Sequence, residues 1–165
     1  MQTVNGHESS SDEFTIEDFF AQFSDFDFDP SQHVTLEFNR LAESRQWGKE
    51  RRRAQYRQLQ DALVGEFNHQ YGRDEGKLAA WQALCEEVGI DPIPTTITQC
   101  RKALANVHVN LVDLVDARRR GRRGDVKVYE TVQQLRKYTR KTGKYFPRQV
   151  AKAGGVLRGL LRRMS

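Results

Sequence analysis

Apolar residues recur along this chain at helical spacing. Val34, Phe38 and Leu41 fall 4 and 3 apart ahead of Trp47-Gly48. Tyr56, Leu59, Leu63, Phe67 and Tyr71 follow at 3, 4, 4 and 4 before Gly72, and Leu78, Trp81, Cys85 and Val88 at 3, 4 and 3 before Gly89. Each set lines one face of a helix, and the glycines mark helix ends. The most regular run is Ile97, Cys100, Leu104, Val107, Leu111 and Leu114, at 3, 4, 3, 4 and 3. Thr96 and Gln99 form a capping-box pair before it. The spacing predicts one long helix over 97–119 whose stripe is the centre of a bundle. Fewer than three heptads favour that use over an intermolecular coiled coil.

The flanks add shorter elements. Thr15 with Asp18 caps a short helix over 16–23, which Pro30 closes off. Val126 to Tyr129 reads as a short extended piece. Thr131 with Gln134 then starts a helix carrying Val132, Leu135 and Tyr138, and Gly143 ends it. Pro147 opens a last helix with Val150, Ala153, Leu157, Leu160, Leu161 and Met164 on one arc and Arg148, Lys152, Arg158, Arg162 and Arg163 on the other. Gly154, Gly155 and Gly159 each cost this helix about 1 kcal/mol relative to Ala, so docking on the body must hold it. The pattern predicts an all-α fold: a compact bundle of six or seven helices with an acidic, partly disordered N-terminal arm. Residues 1–13 read as a disordered tail. Residues 14–165 read as one domain, comprising an acidic aromatic arm (14–32), a helical body (33–117) and a basic C-terminal region (118–165).

With 165 residues and 38% hydrophobic content, the chain suffices for one core without disulfides or metals. No uninterrupted apolar run of about 18 residues exists, so no membrane span is expected. The first eleven residues hold no Lys or Arg and no apolar stretch of seven, and read as neither a secretory signal nor a transit peptide. An intracellular protein is expected. The nucleus is slightly favoured over the cytoplasm by two basic runs, Arg118 to Arg123 and Lys49 to Arg53. Cys85 and Cys100 fall at apolar positions and read as reduced core thiols.

Charge changes the picture most. Residues 1–32 carry eight acidic groups and no basic one, a net −8. Residues 33–117 carry 11 basic and 12 acidic groups, a net −1, and residues 118–165 carry 16 basic and 2 acidic groups, a net +14. A modest overall +5 thus conceals an acidic head and a basic tail.

Catalytic chemistry leaves little trace. The four histidines are dispersed, and neither a His-Glu-x-x-His pattern nor paired Cys-x-x-Cys motifs occur, so no metal and no cofactor is expected. Gly121-Arg122-Arg123-Gly124 lacks the Lys-Ser/Thr ending of a phosphate loop and reads as a basic turn. Within His108-Val109-Asn110-Leu111-Val112-Asp113, the polar groups suit structure: Asp113 and Asp116 pairing with nearby cations, and Asn110 bonding to an adjoining helix.

Binding is therefore the expected role. The favoured partner is nucleic acid, with phosphates contacted by Arg118, Arg119, Arg120, Arg122, Arg123, Lys137, Arg140, Lys141, Lys144, Arg148, Lys152, Arg158 and Arg162. Tyr129, Tyr138, Tyr145 and Phe146 are interleaved with these cations, as base stacking requires. The alternative is an adaptor whose Phe14, Phe19, Phe20, Phe23, Phe26 and Phe28, set among carboxylates, dock on a basic protein partner. Those carboxylates also suit an intramolecular role, screening the basic tail until phosphorylation at Ser9, Ser10 or Ser11 shifts the balance. A membrane-surface or calmodulin-like role for the last helix is least favoured, since no Trp or Phe follows Pro147 and its apolar arc is needed for the core. Oligomeric state is not legible.

Trp81-Gln82-Ala83-Leu84-Cys85, the run His108 to Asp113, Tyr138-Thr139 and Thr142-Gly143-Lys144-Tyr145-Phe146-Pro147 together resemble a group of small uncharacterised fungal helical proteins, over about residues 15–163. That resemblance implies a shared helical fold and a fungal origin. It implies no activity and assigns no functional residue.

Overall fold

The 23-residue helix over Lys49–Tyr71 changes character halfway along. Its first half is rich in Arg and Gln and largely open to solvent, whereas from Leu59 onward it is buried on several sides, including Leu63, Val64, Gly65 and Phe67. A computed structural model describes residues 13–122, 124–148 and 153–164, and this helix is the axis around which the others pack. In chain order the elements are α1 (Ile16–Ala21), α2 (Val34–Ser44), α3 (Lys49–Tyr71), α4 (Leu78–Glu87), α5 (Ile97–Leu104), β1 (His108–Val109), α6 (Leu111–Arg119), β2 (Val128–Tyr129), α7 (Val132–Thr142) and α8 (Gly155–Met164). The fold is an all-helical bundle. β1 and β2 form one short antiparallel pair, with His108 opposite Tyr129 and Val109 opposite Val128. The expected disorder of residues 1–13 falls almost wholly on residues 1–12, which lie outside the described residues.

Eight helices among the described residues exceed the six or seven expected, in part because the anticipated helix over 97–119 is broken. α5 stops at Leu104, β1 follows, and α6 starts afresh after Asn110. The β-branched residues flanking His108 favour extended backbone, which β2 pairs. Asn110 then acts as an N-cap, its side-chain oxygen accepting from the Asp113 N–H at 3.1 Å. Its amide donates to Thr139 Oγ1 (3.2 Å) and to the Lys144 carbonyl (3.0 Å), which fixes the break against α7. The bundle axis is accordingly α3, not the segment over 97–119.

Other local expectations hold. Thr15 and Thr131 form full capping boxes with Asp18 and Gln134, and Gly143 closes α7 in the left-handed region at φ 72°. Cys85 and Cys100 are free and buried, and burial pushes the Cys85 thiol up to about 12. Of the three glycines expected to weaken the last helix, Gly154 precedes it, Gly155 is its first residue and Gly159 alone lies inside it, and all three have steric reasons. A Cβ on Gly154 would lie 2.5 Å from Arg73 Cγ, one on Gly155 2.9 Å from the Arg73 carbonyl, and one on Gly159 3.1 Å from the Trp81 ring. α8 therefore seats its buried Val156, Leu157 and Leu160 only because these positions lack side chains.

The acidic arm docks on α3 by the same device. Gly65 faces the Phe14 backbone so closely that a Cβ would sit 1.9 Å from its carbonyl oxygen. Next to it, the buried Glu66 accepts a hydrogen bond from the Ile16 N–H at 3.0 Å. Ile16, Phe19 and Phe20 are then buried against α3.

In an ordinary helix interior, Gly65→Ala would stabilise by about 1 kcal/mol. Here the clash outweighs that gain, so the substitution should destabilise the fold by about 1–3 kcal/mol in urea unfolding. A gain in stability would show that the arm is not docked on α3. Burial raises the pKa of Glu66 above the ordinary glutamate value, with the Ile16 bond opposing. A raised carboxyl pKa contributes stability in full below the unfolded pKa and loses it as pH rises through the folded one, so charged Glu66 is a burden at neutrality. Glu66→Gln, which keeps an acceptor for Ile16, should therefore raise the melting temperature at pH 7, and the gain should vanish near pH 4.

A basic cleft between the C-terminal helices

α7 has no fully buried residue. Its Val132 and Leu135 remain half-buried because they face a cleft rather than a neighbouring helix. The opposite wall comes from Ala153, Arg158, Leu161 and Arg162 in and before α8, the floor from the α5–β1–α6 junction, and one end from the segment after Gly143. The cleft has a volume of about 1340 Å³. Val107, Val109, Leu111 and Phe146 make its base apolar, while Arg136, Arg140, Lys144, Arg148, Arg158, Arg162 and His108 supply the polar lining. Among the described residues no carboxylate lines it. Of these cations, Lys144 pairs with Asp113, and Arg162 lies 3.9 Å from Glu75. Arg136, Arg140, Arg148 and Arg158 make no ion pair among the described residues. Arg158 instead donates to the Ala153 carbonyl at 2.7 Å.

One wall of the cleft is fixed by a closed triangle. Lys144 Nζ donates to Asp113 Oδ1 (2.9 Å) and reaches the Tyr138 hydroxyl (2.8 Å), which bonds Asp113 Oδ2 (2.6 Å). Burial pulls the Lys144 ammonium down, but its bonds to Asp113 and Tyr138 more than offset this and leave it raised above the ordinary lysine value. Burial and the adjoining Asp113 carboxylate raise the Tyr138 phenol. Both groups therefore keep their protons at neutral pH, and the triangle acts as a clamp between α6, α7 and the segment that follows. That segment is also held from α3. Tyr56 donates to the Gly143 and Tyr145 carbonyls at 3.2 and 3.1 Å, and Gln60 Nε2 donates to Tyr145 at 3.0 Å. Burial pushes the Tyr56 hydroxyl up to about 12, so it remains a donor across the neutral range.

The cations expected to contact phosphate divide into four groups. Arg140, Lys144, Arg148, Arg158 and Arg162 meet in the cleft. Arg122, Lys137 and Lys141 are exposed but lie outside its lining. Arg123 and Lys152 fall outside the described residues. Arg118, Arg119 and Arg120 correct the expectation of a free basic loop, with side chains only 18%, 5% and 10% exposed. Arg118 faces Glu87 at 3.5 Å and lies over the Tyr71 ring. Arg119 pairs with Asp116 at 2.8 Å and donates to the Pro30 and Gln32 carbonyls, and Arg120 approaches Asp116 at 3.5 Å. Continuing the chain from α6 as helix carries these three back into the body. Arg136 and His108, not anticipated, join the cleft. Arg136 is four residues after Val132 and four before Arg140, a helical spacing that carried the signal.

The six phenylalanines expected to meet a protein partner are engaged within the chain. Phe19 and Phe20 are buried, and Phe14, Phe23, Phe26 and Phe28 pack half-buried against the same core. Phe20 stacks on Phe28 with centroids 4.2 Å apart, and Phe23 meets Trp47 edge-on at 5.6 Å. Arg40 lies over Phe26 and binds Glu37 and the Asp27 carbonyl, pinning the arm from outside. No described arm residue lines the cleft.

Among the described residues no group of three His, Cys, Asp or Glu side chains is placed to hold a metal ion, and no helix is long and apolar enough to cross a membrane. Asp113→Asn would leave the Lys144 ammonium facing a neutral amide. It should cost about 1–3 kcal/mol in urea unfolding and speed amide exchange in α7; unchanged exchange would show that the triangle does not hold that helix. No family model matches the chain, nor does any curated protein or solved structure.

Proposed function

We propose that this protein binds nucleic acid, without acting on it chemically, through the cleft between α7 and α8. The observation that carries the reading is the convergence of Arg136, Arg140, Arg148 and Arg158, from three separate stretches of chain, on a concavity lined by no carboxylate among the described residues. Cations brought together at such density repel one another, and a polyanion relieves that repulsion while releasing its own counterions. Guanidinium groups suit phosphate because each offers donors in a planar fork. A solvated basic surface needs neither the concavity nor the absence of acids.

Screening by the acidic head takes a narrower form. Residues 14–32 contribute Ile16, Phe19 and Phe20 to the core, so their removal exposes apolar surface rather than freeing the cleft. Any screen that can be released is assigned to the residues before Glu13, where Glu8, Asp12 and the three consecutive serines lie. The adaptor reading has less support, because the rings it needs are already spent on intramolecular packing.

The test is a titration of full-length protein and Arg140→Glu/Arg148→Glu with fluorescent DNA and RNA over a range of salt. The variant should bind at least about tenfold more weakly, and the slope of log affinity against log salt should fall by about two. Equal binding by both proteins, or none by the wild type near 0.1 M salt, would remove nucleic acid as the ligand of this cleft.

A further inference from the structure

Tyr145 is an exposed aromatic side chain on a backbone held by hydrogen bonds. It is 47% exposed at the end of the cleft, whereas the next residue, Phe146, turns inward and packs half-buried against the core. Three hydrogen bonds fix its peptide: the N–H to Gly143 O at 2.9 Å, and the carbonyl to Tyr56 and Gln60 of α3. Resting on the reading of the cleft as a nucleic-acid site, we infer that its ligand is a single strand, which crosses Tyr145 and continues onto the exposed first half of α3.

Two features distinguish a strand from a duplex. The first is the cleft floor. Val107, Val132, Leu135, Phe146 and Leu161 present half-buried apolar surface between the arginines. A duplex turns its phosphates outward and keeps its base faces stacked inside, so it can use the arginines and has nothing to place on the floor. A single strand offers both, with phosphates for the guanidinium groups and unpaired base faces for the apolar base and for Tyr145.

The second is the direction in which the basic surface continues. Lys49, Arg53, Tyr56 and Gln60 are spaced 4, 3 and 4 apart on α3 and share one face of it. Tyr56 and Gln60 mark where that face meets Tyr145. Lys49 and Arg53 therefore extend the same side toward the start of the helix, both exposed and neither in an ion pair among the described residues. The track runs from Arg136, Arg140 and Arg148 across Tyr145 to Arg53 and Lys49. An aromatic platform between two cationic stretches suits a flexible polyanion whose bases are free to stack.

Anisotropy titrations of the full chain with a pyrimidine single strand of about 16 nucleotides, and with a blunt duplex of the same length, test this directly. The strand should bind tighter. Tyr145→Ala should weaken the strand about tenfold and leave the duplex unchanged, while Tyr145→Phe should keep the wild-type preference. Lys49→Glu/Arg53→Glu should lower strand affinity and reduce its salt slope by about two, without dependence on how Tyr145 variants fold. Equal affinity for strand and duplex, with no effect of Tyr145→Ala or of the Lys49/Arg53 pair, would overturn the inference while leaving the cleft as a nucleic-acid site, provided Arg140→Glu/Arg148→Glu still weakens binding. Failure of the wild type to bind either ligand would overturn both.

Discussion

Four buried carboxylates hold this fold together, each by accepting the backbone N–H of a segment from elsewhere in the chain. Glu37 takes Asp29, Glu66 takes Ile16, Glu87 takes Gly124 and Asp116 takes Val34. The acceptors stand on helices, and the donors belong to loops or helix starts; Ile16 and Val34 are buried, while Asp29 and Gly124 are exposed. A buried donor left without a partner costs about 1–3 kcal/mol, so the contacts to Ile16 and Val34 fix where those segments can lie. Asp116 does most: it satisfies the first amide of α2, which His33 leaves without a side-chain cap, and it also binds Arg119. Three of the four acids are compensated by an arginine, namely Arg40, Arg118 or Arg119. Glu66 meets no such partner at salt-bridge distance among the described residues, and burial raises its pKa against the opposing Ile16 bond.

The far end of α3 joins the two ends of the described chain in the same way. Glu13 binds Arg73 at 2.6 Å and receives the Asn68 amide, while Asn68 Oδ1 and the Arg73 carbonyl accept the N–H groups of Gly154 and Gly155. Arm and last helix thus converge on neighbouring groups of one helix. Glycine at 65, 154 and 155 is required there because backbone, and not side chain, makes the contact.

Much of this was legible along the sequence. The stripes at Tyr56 to Tyr71 and Leu78 to Val88, and the caps at Thr15 and Thr131, appear where residue spacing and hydroxyl placement put them. The break at Asn110 was hidden because the 3, 4, 3, 4, 3 apolar spacing runs straight through a two-residue strand. The local signal was Asn110 followed three residues later by Asp113, a cap inside an apolar run. The acidic aromatic arm misled for another reason. Alternating Phe and Asp describes a segment that folds against something, and sequence does not say whether the surface it meets belongs to another chain or to this one. Likewise, a run of five arginines over 118–123, interrupted by one glycine, does not disclose which of them face buried acids.

That last point determines where binding can occur. Linear charge suggested a tail uniformly available to a polyanion, yet Arg118 and Arg119 sit beside carboxylates placed to tie down loops, and desolvated pairs of this kind do not exchange partners cheaply. Cations without an ion pair among the described residues lie in several places, Lys77, Lys102 and Arg122 among them, and they include those of three stretches: α7, the segment before α8 and the exposed start of α3. These three stretches meet around Tyr145, because Tyr56 and Gln60 bind its carbonyl and Lys144 is clamped to Asp113 one residue earlier. The same contacts that complete the bundle therefore bring unpaired cations of these stretches toward one exposed ring.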